Sequence, residues 1–147
     1  MRSKHQRPID LEWFRGLAIV KNQKKYTEYK TLIKRYTKKN KSLTGQLIEA
    51  AKEKNMRAVD SIDQQQKRVL TSSYLATVNY ALNNKDYEIA PFLALSEIYN
   101  ANTKYLDTIY KTLTPRIKAS TYGVALKDFL EEIKKEEDLN SEREWSY

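Results

Sequence analysis

Cysteine is absent from this 147-residue chain, and histidine, glycine and proline are scarce. Without cysteine there is no disulfide framework, no thiolate zinc site, no thiol nucleophile and no CxxC redox pair. Three glycines and three prolines are too few for an all-β sandwich or a glycine-rich phosphate loop, which both need many turn residues. The single histidine, His5, lies in a polar stretch. We therefore expect no catalytic triad, no metal site and no cofactor.

Long apolar runs are missing as well. No segment approaches the roughly 18 residues that a membrane-spanning helix needs. The basic start leads into "PIDLEWFRGLAIV", which carries three charged residues and makes a poor signal peptide. We expect no transmembrane segment, and either a cytosolic protein or the mature part of an exported one.

What the chain does contain is helical periodicity. Hydrophobic residues make up 40% and charged residues 31% of the sequence, which suits helices with one buried stripe each. Apolar residues recur at steps of three and four along most of the chain. The pattern predicts an all-α fold, an irregular bundle of about five or six helices. Two longer antiparallel helices come first, followed by a short αα-hairpin and a closing helix.

The first half is predicted to hold the two longer helices. The first runs over Ile9–Lys38, and "KKNKS" (Lys38–Ser42) forms the connection, with Ser42 as a cap. The second runs over Leu43–Leu82 and has a weak point at Lys54 and Asn55. We expect Leu32, Ile33, Ile48, Ala51, Met56 and Leu70 on the buried stripes, with Leu75 and Leu82 widening the second one.

Polar and proline residues divide the second half. Asp86 is predicted to cap a helix with Pro91 in its first turn, and Asn100–Thr103 turns the chain into the next helix. Thr114 and Pro115 then begin a brief turn through Lys118, and Ser120 or Thr121 caps the last helix. Its predicted stripe is Tyr122, Leu126, Phe129, Leu130 and Ile133.

These elements predict one domain with two appendages. Residues 1–41 form a basic N-terminal helical segment, 42–138 form the bundle core together with 9–38, and 139–147 form a frayed tail. The charge follows this division, because residues 1–41 hold 13 Lys and Arg against three acids. The remaining residues have a net charge of −2.

The basic stretch Lys21–Lys41 is the feature with the clearest functional promise. It has nine Lys or Arg, one acid and three tyrosines. Lysines neutralise phosphates and tyrosines stack on unpaired bases, so this composition is typical of salt-sensitive, sequence-independent nucleic-acid binding. An acidic partner, a membrane surface or a solvated helix face are the alternatives. The candidate contact residues are Lys21, Lys24, Lys25, Tyr26, Lys30, Lys34, Arg35, Lys38 and Lys39.

Paired carboxylates give weaker signals. Asp60 with Asp63, and Glu132 with Glu136, share helical faces, but lysines and arginines lie close in sequence and indicate solvated faces. An enzyme with a hidden carboxylate or tyrosine site is a further hypothesis. It requires a deep polar pocket that holds Glu97 or Asp107 with buried partners.

The stretch "APFLALSEIYNANTKYLDTIYKTLTPRIKASTYGVALKDFLEEI" (Ala90–Ile133) resembles the helical segment that precedes the thioredoxin fold in bacterial thiol-disulfide oxidoreductases of the TlpA/AhpC-like type. The likeness includes "YKTLTPRIKASTYG" and the earlier "LIEAAKEKNMRAVDSI", and it covers roughly residues 43–135. That family belongs to the cell envelope and periplasm. Its CxxC domain is missing from this cysteine-free chain, so no catalytic residue carries over.

Two functions are consistent with these observations. The resemblance implies a non-enzymatic helical accessory or interaction module, whose partner is another protein domain or chain, such as a thioredoxin-like domain. The alternative is a small basic nucleic-acid-associated protein that binds through Lys21–Lys41. We expect no enzymatic activity from the chain itself, since redox chemistry requires a CxxC domain.

Overall fold

The computed structural model describes residues 20–145, with side chains described within 23–141, and every regular element in this range is helical. The six helices are α1 (Val20–Lys52), α2 (Met56–Asn83), α3 (Ile89–Ser96), α4 (Thr103–Thr112), α5 (Pro115–Lys118) and α6 (Thr121–Trp145). The all-α prediction is confirmed, with two long helices followed by short ones and a closing helix. The predicted first turns from Ile9 and the residue His5 lie outside the described residues.

α1 is one uninterrupted helix of 33 residues. The predicted connection at Lys38–Ser42 is wrong, and the boundary between residues 41 and 42 falls inside the helix. The Lys, Asn and Ser side chains of residues 38–42 are exposed. Compared with alanine, each lowers the stability of a helix by only a few tenths of a kcal/mol. Leu43 and Ala50 further along are buried against α2. Burial of that stripe outweighs the weak local propensity.

The chain reverses at the weak point that the sequence indicated. Lys54 has a positive φ of 57°, and the backbone N–H of Asn55 donates to the Ala50 carbonyl at 3.0 Å. This is the Schellman pattern that ends helices. The Asn55 side chain then accepts a hydrogen bond from the Ala58 N–H at 3.2 Å, which caps α2.

Hydrogen bonds between α1 and α2 establish that the two helices are antiparallel. The contacts pair Lys25 with Tyr80, Tyr29 with Thr77, and Asn40 with Gln66. Residue numbers therefore rise along α1 as they fall along α2. The predicted antiparallel arrangement is confirmed.

α3 is the centre of the core, and all eight of its residues are buried. It packs against α1, α2, α4 and α6. The ring of Phe92 lies edge-on to Tyr26 of α1 at 5.7 Å and to Tyr122 of α6 at 5.5 Å between ring centroids. The short helix α3 thus holds α1 and α6 together. Because it is buried on all sides, its segment is the most apolar part of the sequence.

The start of α3 differs from the prediction in one respect. Pro91 lies in the first turn as expected, where its missing N–H costs least. Asp86 is not the cap, because a backbone hydrogen bond of 2.9 Å from Tyr87 to Asn84 closes a separate turn there. The helix begins three residues after Asp86, at Ile89.

The remaining turns use the predicted residues. The Asn102 side chain accepts from the Lys104 N–H at 2.9 Å, and Pro115 follows Thr114 at the start of α5. Ser120 Oγ accepts from the Gly123 N–H at 3.2 Å and so caps α6. The predicted α6 stripe is confirmed, since all five of its members are buried: Tyr122, Leu126, Phe129, Leu130 and Ile133.

The distal parts of α1 and α2, residues 34–52 and 56–73, form a two-helix extension that we call the arm. Its apolar side chains make their own small cluster, separate from the main core: Leu43, Leu47, Ala50, Ala58, Val59, Ile62 and Val69. At 1.5 Å per residue the arm is roughly 28 Å long. The rest of the described chain is the body.

Several predicted core positions on α1 and α2 are exposed, and no other helix of the described range covers them. Leu32, Leu70 and Leu75 are 41%, 51% and 50% exposed. Ala50 is buried where Ala51 was expected. At the other end of the chain, α6 continues to Trp145, so the segment from residue 139 is helical as far as the description extends.

Candidate functional site

Part of the basic segment is engaged with the body. Tyr26 donates to Glu97 Oε1 at 3.2 Å, and the Lys30 ammonium lies 3.4 Å from the same oxygen. Burial raises the pKa of Tyr26 although Lys30 opposes the shift. Burial also disfavours the charged form of Lys30, but its contacts with Tyr26 and Glu97 outweigh that effect and raise its pKa. These two candidates join α1 to α3.

Lys25 and Tyr29 are likewise structural. The Lys25 ammonium lies 4.7 Å from the centre of the Tyr87 ring and 4.0 Å from Glu28. Tyr29 is 2% exposed, and burial raises the pKa of its phenol above the usual range. Buried hydroxyls of this kind fix helix register and are not available to a ligand. Sequence reasoning did not separate Lys25 and Lys30 from the cations that are exposed and unpaired among the described side chains.

The free cations form a surface that we call the basic face. Its members are exposed: Lys24, Lys34, Arg35, Lys38, Lys39 and Lys41. Successive lysines at positions 34, 38 and 41 share one side of α1, since steps of four and three residues return to the same side. The face spans roughly 26 Å. Lys21 belongs to α1, but its side chain lies outside the described residues.

Three cations meet at a cleft that we call the basic cleft. Arg35 and Lys39 of α1 and Arg68 of α2 line it together with Tyr36, Val69 and Ser72, and its volume is about 290 Å³. The Arg35 guanidinium lies 4.7 Å from the centre of the Tyr36 ring and donates to its hydroxyl at 2.6 Å. Among the described side chains, none that lines the cleft is a carboxylate.

A larger groove of about 430 Å³ lies beside the basic cleft, between α1 and α2, and shares Tyr36 and Val69 with it. We call it the large groove. It is lined by Ile33, Tyr36, Thr37, Asn40, Gln66, Lys67, Val69, Leu70 and Ser73. Gln66, which interrupts the predicted apolar stripe, donates to Asn40 Oδ1 at 3.3 Å and Thr44 Oγ1 at 2.9 Å. It forms a polar rung between the two helices of the arm.

The carboxylates pair with surface cations. Asp63 lies 3.2 Å from Lys67 and Asp107 lies 2.8 Å from Lys111. Asp60, Glu132 and Glu136 are exposed. Glu97 is half-buried, but Tyr26 and Lys30 satisfy it, and neither groove contains it. The two grooves described here are therefore not the pocket that the carboxylate-enzyme hypothesis requires.

Metal-binding clusters and membrane-spanning helices are both absent from the described range. Within residues 20–145 no group of three or more His, Cys, Asp or Glu is placed to hold a metal ion. None of the helices described is long and apolar enough to cross a membrane.

Arg68 is the site residue that sequence reasoning missed. It lies 27 positions beyond the basic segment, in a stretch that contains both acids and bases. The antiparallel pairing of α1 and α2 brings it to Arg35 and Lys39. Only the register, with Asn40 opposite Gln66, could have revealed this from sequence.

Comparison with known proteins adds no assignment. No protein-family model, no curated protein and no solved structure matches the chain.

Proposed function

We propose that this chain is a non-enzymatic helical module that positions another protein domain or chain, as its resemblance to the helical segment of thioredoxin-like oxidoreductases implies. The supporting observation is the incomplete apolar packing of the two long helices. Of seven large hydrophobic side chains that are exposed in the described range, five belong to α1 or α2: Leu32, Ile48, Met56, Leu70 and Leu75. Of these five, Leu70 lines a groove between the two helices, and an exposed apolar side chain in such a groove is consistent with an interface.

The large groove offers a place for such a partner. Leu70 stands at its edge and is 51% exposed, while Ile33 and Val69 form its apolar floor. A helix of the partner laid along this groove buries Leu70 and completes a three-helix arrangement around the arm. The partner that the resemblance suggests is a thioredoxin-fold domain.

Isothermal titration calorimetry with a purified thioredoxin-fold domain of the TlpA/AhpC-like class tests this proposal. We expect Leu70→Asn to weaken binding at least tenfold, since it replaces a groove contact with a polar amide. Leu139→Asn is the matched control, because Leu139 is a similarly exposed helical leucine, at 56%, on α6. Absence of binding to the unaltered chain, or equal losses in both variants, contradicts the proposal.

The non-enzymatic part of the proposal has its own test. The chain alone should not reduce insulin in the presence of a thiol reductant above the rate of the reductant itself. A rate above that background overturns the assignment, whatever the outcome of the binding experiment.

A second candidate function is nucleic-acid binding through the basic face. The observation that favours it is the separation of charge in α1, whose six free cations are exposed while its nearby acid, Glu28, is hydrogen-bonded by Tyr80. Lysines on an exposed helix face release counterions when they neutralise phosphates, so binding is expected to be sequence-tolerant and steeply dependent on salt.

Fluorescence anisotropy with a labelled 12-mer of thymidine at several salt concentrations tests the second candidate. Replacement of Lys34, Lys38 and Lys41 by Gln should reduce the slope of log K against log salt by about 2, at roughly 0.7 for each phosphate that is no longer neutralised. The matched control replaces Lys127, Lys134 and Lys135, which are exposed on α6. Salt-independent binding, or equal effects in the two triple variants, excludes the basic face.

A further inference from the structure

The basic cleft differs from the rest of the basic face because both helices of the arm contribute to it. Arg35 and Lys39 come from α1, and Arg68 comes from α2. None of the three belongs to an ion pair of the described side chains. Three like charges around one cleft repel one another, and an anion placed between them removes that repulsion.

Arg35 is already oriented for such an anion. Its guanidinium carbon lies 4.7 Å from the centre of the Tyr36 ring, and one of its N–H groups donates to the Tyr36 hydroxyl. A guanidinium has five N–H donors, so most of them stay available in a fixed orientation. A donor that is held before binding loses less conformational entropy when the ligand arrives.

We propose that the basic cleft is a phosphate-binding site for single-stranded nucleic acid, in which Arg35 and Arg68 grip one backbone phosphate from two sides. This inference rests on the second candidate function and gives it a defined contact. Arginine forks match phosphate oxygens in pairs, whereas lysines of the basic face act as point charges. The cleft therefore sets where the strand crosses the arm, and the lysines supply the remaining attraction.

A cleft of about 290 Å³ agrees with this ligand. This volume lies just below the range for small-molecule sites, about 300 to 1,000 Å³, and suits a phosphate with part of its nucleotide. Ser72 adds a hydroxyl to the lining, and Tyr36 and Val69 add an apolar floor. This mixture of donors and one aromatic ring is typical of single-strand sites, where a base lies beside its phosphate.

The test uses the full chain, a labelled 12-mer of thymidine and three variants. Arg68→Gln should weaken binding about tenfold, because a charge-assisted hydrogen bond is worth roughly that factor. Arg57→Gln is the matched control, since Arg57 is an exposed arginine of the same helix that lines neither groove. It should change binding less than twofold. Arg68→Lys should fall between the two, because it keeps the charge and removes the fork.

If Arg68→Gln and Arg57→Gln weaken binding of the 12-mer equally, the basic cleft is not the phosphate site. The basic face then remains the candidate nucleic-acid surface. A second measurement, amide chemical shifts on titration with inorganic pyrophosphate, separates the two failures. If the unaltered chain does not bind the 12-mer, the second candidate function is excluded. When the unaltered chain does bind the 12-mer, pyrophosphate shifts confined to residues 35–39 and 68–72 support the basic cleft as the phosphate site, and their absence overturns it.

Discussion

The hydroxyl oxygens of Tyr29 and Thr77 lie 2.9 Å apart in the buried contact between α1 and α2. Thr77 also donates to the Ser73 carbonyl at 2.9 Å. A hydroxyl has one proton, so Tyr29 donates to Thr77 when both bonds are made. This pair is one of the contacts that hold α1 and α2 in the register that brings Arg68 to Arg35.

Tyr29→Phe should lower the free energy of unfolding by about 1 to 1.5 kcal/mol, the net value of a buried hydrogen bond. Tyr36→Phe is the control, since its hydrogen bond to Arg35 is exposed, and it should cost less than about 0.5 kcal/mol. Urea denaturation followed by circular dichroism measures both. Equal costs would show that the Tyr29 hydroxyl does not stabilise the seam.

Gly123→Ala and Gly45→Ala should have opposite effects. A methyl group at Gly123 meets the Ile117 carbonyl oxygen at 2.0 Å, whereas a methyl group at Gly45 meets nothing within 4 Å. We expect Gly123→Ala to destabilise by about 1 to 3 kcal/mol through overpacking. Gly45→Ala should stabilise by up to about 1 kcal/mol, because it removes a glycine from a helix interior. Thermal denaturation gives both signs, and a tolerated Gly123→Ala contradicts the close packing of α5 on α6.

Gln66→Leu should stabilise the arm by about 0.5 to 1 kcal/mol. The substitution continues the apolar stripe of α2. Asn40 and Thr44 lose their hydrogen bonds to Gln66, but both are exposed and can bond to water instead. Gln64→Leu on the exposed side of the same helix should change stability by less than about 0.5 kcal/mol. Hydrogen exchange of the amides in the arm measures the effect locally. A loss of protection in Gln66→Leu would show that the polar rung is needed for pairing.

Stability should fall as the pH rises above 10. Burial and the neighbouring Glu28 raise the pKa of Tyr80 from 10.0 to about 12, and burial raises the pKa of Tyr26, Tyr29 and Tyr122 in the same direction. A raised pKa means that the unfolded state loses its proton first. The stabilisation is therefore complete below pH 10 and is lost as the pH rises through the folded-state value.

Phenolate absorbance and circular dichroism, recorded together across the alkaline range, check this pH dependence. Tyr80→Phe should make the decline in stability between pH 10 and 12 shallower. If the tyrosines titrate near 10 while the fold remains intact, their burial does not control alkaline stability.

Much of the fold followed from local patterns in the sequence. Steps of three and four predicted the helical class and the buried stripe of α6, and Pro91, Asn102, Pro115 and Ser120 marked helix starts because their effects on the backbone are local. The predicted connection at Lys38–Ser42 was wrong because the prediction used local propensity, which is weak there. The helix continues because Leu43 and Ala50 are buried against α2, which is a long-range contact.

The sequence by itself determined that this is a cysteine-free, helical protein whose positive charge is concentrated near its N-terminus. Only the tertiary structure decided which cations are free. Lys25 and Lys30 pack against tyrosines and acids, while Arg68 joins Arg35 and Lys39 across the seam. Composition and periodicity depend on neighbours along the chain, whereas a site that draws on two helices depends on their register, which long-range packing sets.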